Sequence, residues 1–282
     1  MYIEVNGTHL FFDIEGSLLT PNDASMKKKP TLILLHGGPG WDHSVFRPHF
    51  NRLTDIAQII YLDQRGHGRS KKTDPREWSL QKWADDIPVF CKKLGIEKPC
   101  ILGHSFGGYV AQAYAVSYPD HASKLILMNT SPKINRQRKY NVFKRLGGSE
   151  VMEAAREYWE NITPQSGMNY LKKCIPYTSQ HVRDPNEISR VKLRREILFH
   201  FHNTQLQLDT FDYREQLSKI TCPVLVIGGE DDPVTPIEDS KDLVAYLPTR
   251  HVRFEQISEC GHASYIDQPD KVFQAIGEFI KR

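Results

Sequence analysis

The chain has 282 residues, 39% of them hydrophobic, with 37 basic and 34 acidic side chains for a formal charge of +3. That length suits one large α/β domain with an inserted subdomain, and the near-balance of charge argues against nucleic-acid binding. No apolar run approaches the roughly 18 residues that span a membrane, and the start Met1–Gly7 lacks the basic and apolar segments of a signal peptide.

In chain order, residues 2–5 and 9–14 flank Asn6-Gly7, a two-residue hairpin signal. A polar loop is expected from Ser17 to Pro30. Thr31–Leu35 and Gln58–Leu62 are continuous apolar runs, as in parallel strands buried on both faces. Ser79 is placed to cap a helix reaching Leu94, with a kink expected at Pro88. Ile101-Leu102, Lys124–Met128, Pro223–Ile227 and Val252–Ile257 read as further strands, mostly separated by helical stretches. This alternation predicts an α/β architecture with a doubly wound, mostly parallel central sheet flanked by helices. Between Ser131 and about Ile220 no convincing strand is found. Helices start there at Ser149, Thr163-Pro164 and Asp184-Pro185, the last continuing through Ile197 and Leu198. The expected division is a core of residues 1–131 and 218–282 with an inserted helical cap (lid) at 132–217. Five cysteines (Cys91, Cys100, Cys174, Cys222 and Cys260) are an odd set without paired spacing, expected of reduced thiols in a cytoplasmic protein rather than a disulfide frame or metal site.

Gly103-His104-Ser105-Phe106-Gly107 matches G-x-S-x-G between the apolar run Pro99–Leu102 and a helix-compatible run from Gly108. A strand turning sharply into a helix lifts the serine hydroxyl above the sheet edge, so Ser105 is the candidate nucleophile. A serine hydroxyl needs a base to take its proton and an acid to fix that base's tautomer. On this architecture the acid and then a histidine follow the serine, each past the carboxyl end of a late strand. His262, in Cys260-Gly261-His262, is the histidine so placed. The acid belongs to Glu230-Asp231-Asp232. The usual spacing beyond Gly228-Gly229 selects Asp232, with Asp231 as runner-up. Oxyanion donors are expected from the backbone N–H of Phe106, at a helix start, and of Gly38, in the turn His36–Gly40. Gly37 is a candidate substrate contact, and His36 is expected to brace the turn.

With Asp63-Gln64-Arg65-Gly66-His67-Gly68-Arg69-Ser70, these motifs resemble the α/β-hydrolase superfamily over essentially the full chain. His-Gly-Gly-Pro-Gly followed by Asp-Gln-Arg-Gly looks like its proline iminopeptidase group. The resemblance implies the α/β-hydrolase fold, a structural role for residues 63–70, and removal of an N-terminal proline from small peptides by an esterase-like mechanism. Two positions depart from the group. It usually shows Gly-Gly-Ser-Trp-Gly, where this chain has His104 and Phe106. It also tends to hold the substrate's ammonium with a glutamate directly after the triad aspartate and another in the cap, whereas Pro233 follows Asp232 here. Glu153, Glu157, Glu160, Glu187, Glu196, Asp209 and Asp212 are the cap acids available as substitutes. The cap also carries Met152, Tyr158, Trp159, Met168, Tyr170, Tyr177, Phe199 and Phe201. Trp159 and Phe199 are the candidates for an apolar substrate pocket, which would favour an ester, lactone or hydrophobic amide.

The expected function is therefore a serine hydrolase of a small ester or amide, using no cofactor and no metal, proline iminopeptidase-like. The alternative is a carboxylesterase or lactonase without aminopeptidase activity. A non-hydrolytic small-molecule receptor or a cofactor-free oxygenase on the same fold is the competing class, and no feature of the chain favours it. The expected partner is a small-molecule substrate, with no nucleic acid and no membrane; oligomeric state is open.

Overall fold

A computed structural model describes residues 1–181, 184–203 and 210–282. The strands are β1 (Tyr2–Val5), β2 (Thr8–Glu15), β3 (Leu19–Asn22), β4 (Ser25–Lys28), β5 (Thr31–Leu35), β6 (Gln58–Leu62), β7 (Cys100–His104), β8 (Lys124–Met128), β9 (Val224–Gly229) and β10 (Val252–Ile257). Eight form one sheet in the order β1-β2-β6-β5-β7-β8-β9-β10. β1 and β2 are an antiparallel hairpin, β2 pairs antiparallel with β6, and every later neighbour is parallel. Asn6 and Gly7 close the first hairpin at φ 45° and 78°, the left-handed values a tight hairpin turn requires. The expected loop at 17–30 instead contains a second hairpin, β3 with β4, turning at Asp23. Its side chains are largely exposed, so no apolar alternation marks it in the sequence.

Side chains of the parallel strands alternate between two buried layers. Leu32 and Leu34 of β5 join Phe46, Phe50 and the C-terminal helix, whereas Ile33 and Leu35 join the helices that follow β6 and β7. Those helices are α1 (Leu80–Lys93) and α2 (Phe106–Ser117). Ser79 caps α1 by accepting from Lys82 N, and the helix runs through Pro88 to its C-cap at Leu94.

Among the described residues, the connection from β8 to β9 is helical: α3 (Arg136–Glu160), α4 (Pro164–Lys173), α5 (Pro185–Ser189) and α6 (Arg195–Asn203). α3 is interrupted at Gly148 (φ 81°, ψ −174°), so its second half starts next to Ser149, while its first half, capped by Asn135, was not anticipated. α4 opens on a reciprocal capping box between Thr163 and Ser166. The single helix expected from Asp184 through Leu198 is two. Lys192 N donates to Asp42 Oδ2 (3.0 Å) and Arg194 N to Gly40 O (2.7 Å), and these contacts with the main body draw the backbone out of helix between α5 and α6. Tyr140, Phe143, Val151, Ala155, Tyr170 and Cys174 give α3 and α4 a small core of their own. The chain ends with α7 (Ile237–Tyr246), α8 (Ser264–Asp267) and α9 (Pro269–Lys281). All five cysteines are free and buried, and burial pushes the thiols of Cys91 and Cys100 up to about 12. No helix among the described residues is long and apolar enough to cross a membrane.

Candidate active site

Ser105 joins β7 to α2 at φ 54°, ψ −120°, a backbone conformation unfavourable for a residue with a side chain. Three hydrogen bonds hold it there. Its N–H donates to Met128 O (3.1 Å), and its carbonyl accepts from Gly108 N (2.9 Å) and Thr130 Oγ1 (2.8 Å). The flanking glycines are a steric requirement. A Cβ on Gly103 would run into the Gly107 carbonyl, and one on Gly107 into the Leu35 carbonyl.

His262 Nε2 lies 2.9 Å from Ser105 Oγ, and His262 Nδ1 lies 2.8 Å from Asp232 Oδ2. The backbone of His262 is fixed by donation to Thr178 O (2.7 Å), and His104 Nε2 donates to its carbonyl (3.0 Å). Asp232 is fully buried. Its Oδ1 accepts from Val234 N (2.8 Å) and Thr235 N (2.9 Å), and its Oδ2 from Thr235 Oγ1 (2.8 Å) and Asn129 Nδ2 (3.0 Å). Burial works to raise its pKa, but the charge and hydrogen bond of His262 and the Thr235 donors outweigh burial and hold the carboxyl below its ordinary range. An ionised Asp232 accepts the Nδ1 proton and leaves Nε2 free to accept from the serine hydroxyl. Asp231 instead pairs with Arg145 (2.8 Å), and Glu230 accepts from Gln256 (2.6 Å). Of the three adjacent acids, Asp232 is the one that meets His262.

Phe106 opens α2, so its N–H belongs to the first turn, which has no intrahelical acceptors. A Cβ on Gly37 would crowd Ser105 Cβ and His104, and Gly37 and Gly38 line the same cavity as Ser105. His36 is buried; its Nδ1 donates to Gly37 O (2.9 Å) and its Nε2 accepts from Gln64 N (3.3 Å). Burial lowers its pKa, and the neutral ring suits that donor–acceptor pair. Asp63 accepts from His43 Nδ1 (2.6 Å), His43 N (3.0 Å) and Arg69 N (2.8 Å), while Arg65 grips Asp86 with two nitrogens (2.8 and 2.7 Å). Residues 63–70 thus tie the end of β6 to the His36 turn and α1, and none of them lines the cavity.

That cavity, about 380 Å³, lies over Ser105 and His262. The inserted helices contribute Tyr158, Trp159, Met168, Tyr170, Leu171, Leu198 and Phe199 to its wall. Gly37, Trp159 and Phe199 are therefore all at its surface. Phe201 is buried against Trp83 and Phe106, and Met152 and Tyr177 are not part of the wall. No aspartate or glutamate lines the cavity among the described residues, and Arg195 is its one permanently charged side chain. The cap acids are engaged elsewhere. Glu153 pairs with Arg156 (3.3 Å), Glu187 with His49 (3.3 Å), Glu196 with Lys72 (3.3 Å) and Asp212 with Arg214 (2.6 Å). Glu157 accepts from Asn169 (3.4 Å) and Glu160 from Tyr140 (3.3 Å). Asp209 lies outside the described residues.

Asn129, Thr235 and Lys139 were not foreseen. Asn129 sits just past β8 at φ 46°, a value asparagine tolerates better than most residues, and a polar residue directly after an apolar strand was the available signal. Lys139 is 1% exposed and its ammonium lies 4.1 Å from the centre of the Trp159 ring. Burial pushes its pKa down to about 8, against the pull of Asp239 and Asp232. Nothing local in the sequence distinguishes it from a surface lysine.

A family model described as the alpha/beta hydrolase fold matches residues 30–269. Proline iminopeptidase PfmaB of Pestalotiopsis fici is 27% identical over 295 aligned residues, covering 100% of this chain and 99% of that protein. The crystal structure of proline iminopeptidase from Mycobacterium smegmatis matches with a TM-score of 0.82 at 21% identity, covering 100% of this chain and 97% of that one. The enol-lactonase of Burkholderia xenovorans LB400 matches with a TM-score of 0.70 at 20% identity, covering 100% of both. At these identities the two structures speak to the fold alone.

Proposed function

The chain belongs to the α/β hydrolase fold family and is a hydrolase, and we propose that Ser105, His262 and Asp232 carry its chemistry on a small ester or amide. The observation behind this reading is the unbroken hydrogen-bond chain, 2.9 Å from serine to histidine and 2.8 Å from histidine to aspartate, at the surface of an apolar cavity. Ser105 Oγ attacks the substrate carbonyl as His262 Nε2 takes its proton, and Asp232 stabilises the imidazolium that forms. The N–H groups of Phe106 and Gly38 receive the oxyanion; each such donor is worth about 3 kcal/mol in the transition state. His262 returns the proton to the leaving alcohol or amine, the C–O or C–N bond breaks, and the acyl group stays on Ser105. Water, deprotonated by His262, then releases the acid. Residues 132–217 act as the cap that encloses the substrate, and the buried thiols fit a cytoplasmic enzyme.

The names of its relatives support a proline iminopeptidase-like amide hydrolase. A second reading, a carboxylesterase or lactonase without aminopeptidase activity, is favoured by the cavity wall. A substrate ammonium needs a carboxylate partner when desolvated, and no described lining residue offers one. Turnover of L-proline 4-nitroanilide and 4-nitrophenyl hexanoate by wild type and Ser105→Ala tests both. Ester cleavage alone supports the second reading. Ser105-dependent amide cleavage supports the first. Turnover that survives Ser105→Ala overturns both.

A further inference from the structure

The cavity wall has a sign. Arg195, the first residue of α6, is its permanent charge, and no described carboxylate balances it. The adjacent residues are committed elsewhere: Arg194 Nε donates to Gly68 O (3.2 Å), and Glu196 pairs with Lys72 (3.3 Å). No carboxylate among the described residues lies within ion-pair distance of Arg195 itself. Behind the wall the Lys139 ammonium rests against the ring of Trp159, which lines the cavity, with Asp239 and Asp232 near enough to offset its charge, so Arg195 alone sets the sign of the lining. The first turn of α4, at Thr163, Pro164 and Gly167, also faces the cavity, and the N-terminal end of a helix favours negative charge.

We propose that this cavity selects esters whose acyl group ends in a carboxylate. The scissile carbonyl lies at Ser105, the hydrocarbon stem packs on Trp159, Leu198 and Phe199, and the far carboxylate meets the guanidinium of Arg195. This rests on the serine hydrolase reading and narrows its substrate class. A guanidinium keeps its charge at every working pH and offers a planar fork that matches a carboxylate. Arg195 is itself exposed, so solvent screens part of the attraction and leaves it that of a surface ion pair. The same charge repels a substrate with a free ammonium, so attraction and exclusion work in one direction. In the reaction the acyl C–O bond breaks, the alcohol leaves with the proton from His262, and water yields the dicarboxylate and restores Ser105.

The test compares mono-4-nitrophenyl adipate and suberate with 4-nitrophenyl hexanoate and octanoate, neutral esters of the same acyl length. In wild type, kcat/KM should favour the anionic ester by about threefold at low salt, as for an exposed ion pair, and the ratio should fall as salt is added. Arg195→Gln should bring the ratio to near one, Arg195→Lys should restore part of it, and Arg195→Glu should invert it. A wild-type ratio near one, or a ratio unchanged by Arg195→Gln, overturns the proposal. Calorimetric binding of adipate to the Ser105→Ala protein reads Arg195 without turnover. Adding Arg195→Gln should weaken that binding about threefold; equal binding counts against Arg195 even if the hydrolase reading has failed on other grounds.

Discussion

His262 Nδ1 lies 2.8 Å from Asp232 Oδ2, and Asp232 is sealed from solvent beneath Asn129, Val234 and Thr235. That contact decides which imidazole nitrogen carries the proton. Asp232→Asn replaces an acceptor with an amide and permits the wrong tautomer, so kcat on 4-nitrophenyl hexanoate should fall about 10⁴-fold. Asp231→Asn removes an ion pair to a half-exposed Arg145 and should change kcat by less than about threefold. Equal losses in the two variants would contradict the assignment.

The same aspartate makes a pH prediction. Its pKa is held below the ordinary range in the folded protein, so its ionised form stabilises the fold above the unfolded pKa of about 4. That contribution is lost as pH falls through the folded value. Urea unfolding of wild type and Asp232→Asn at pH 7 and pH 3 should show the wild-type advantage shrinking at the lower pH. An advantage that grows on acidification would reverse the sign.

Gly107 is a steric rather than a chemical requirement. Gly107→Ala drives a methyl group into the Leu35 carbonyl at the crossing of α2 and β5, and should cost about 3 kcal/mol or more in urea unfolding. A loss below about 1 kcal/mol would mean that the turn relaxes easily.

Lys139 reports on the cap. Its folded pKa, near 8, lies below the usual lysine value of 10.5. The cost of burying its charge is complete below pH 8 and is relieved as pH rises from about 8 to about 10.5, where the unfolded chain still holds the proton. Wild type should therefore gain on Lys139→Met across that window, by up to about 3 kcal/mol. Urea titrations at pH 7, 9 and 10.5 measure the gap; a constant gap contradicts a buried, shifted ammonium.

Trp159 and Phe199 line the cavity rather than touch Asp232 or Ser105 through hydrogen bonds. Trp159→Ala and Phe199→Ala should lower kcat/KM for octanoate esters about tenfold while acetate esters lose much less, because apolar burial scales with the stem in contact. Equal losses on both esters would point to a disturbed Ser105 instead.

The sheet was readable because β5, β6, β7, β8 and β9 are buried on both faces, and a continuous apolar run has few other uses. The turn at Ser105 was readable because its glycines answer to contacts with Leu35 and Gly107 that any such turn creates. Spacing pointed to Asp232, and the structure supplies what spacing could not: Asp231 turned toward Arg145. The break between α5 and α6 was invisible, since it is set by Asp42 and Gly40, about 150 residues away in sequence. Arg195 and Lys139 were invisible for the same reason. Their chemistry comes from the cavity wall at Trp159, which has no acid among its described lining residues, and only the folded chain assembles it.

The central claim is an acyl-enzyme on Ser105. Acid quench of the protein during turnover of 4-nitrophenyl hexanoate, followed by peptide mass spectrometry, tests it most directly. The account predicts one hexanoyl adduct on Ser105, absent in Ser105→Ala and formed as fast as 4-nitrophenol is first released. Steady turnover with no adduct on Ser105, or an adduct on another residue, would contradict it.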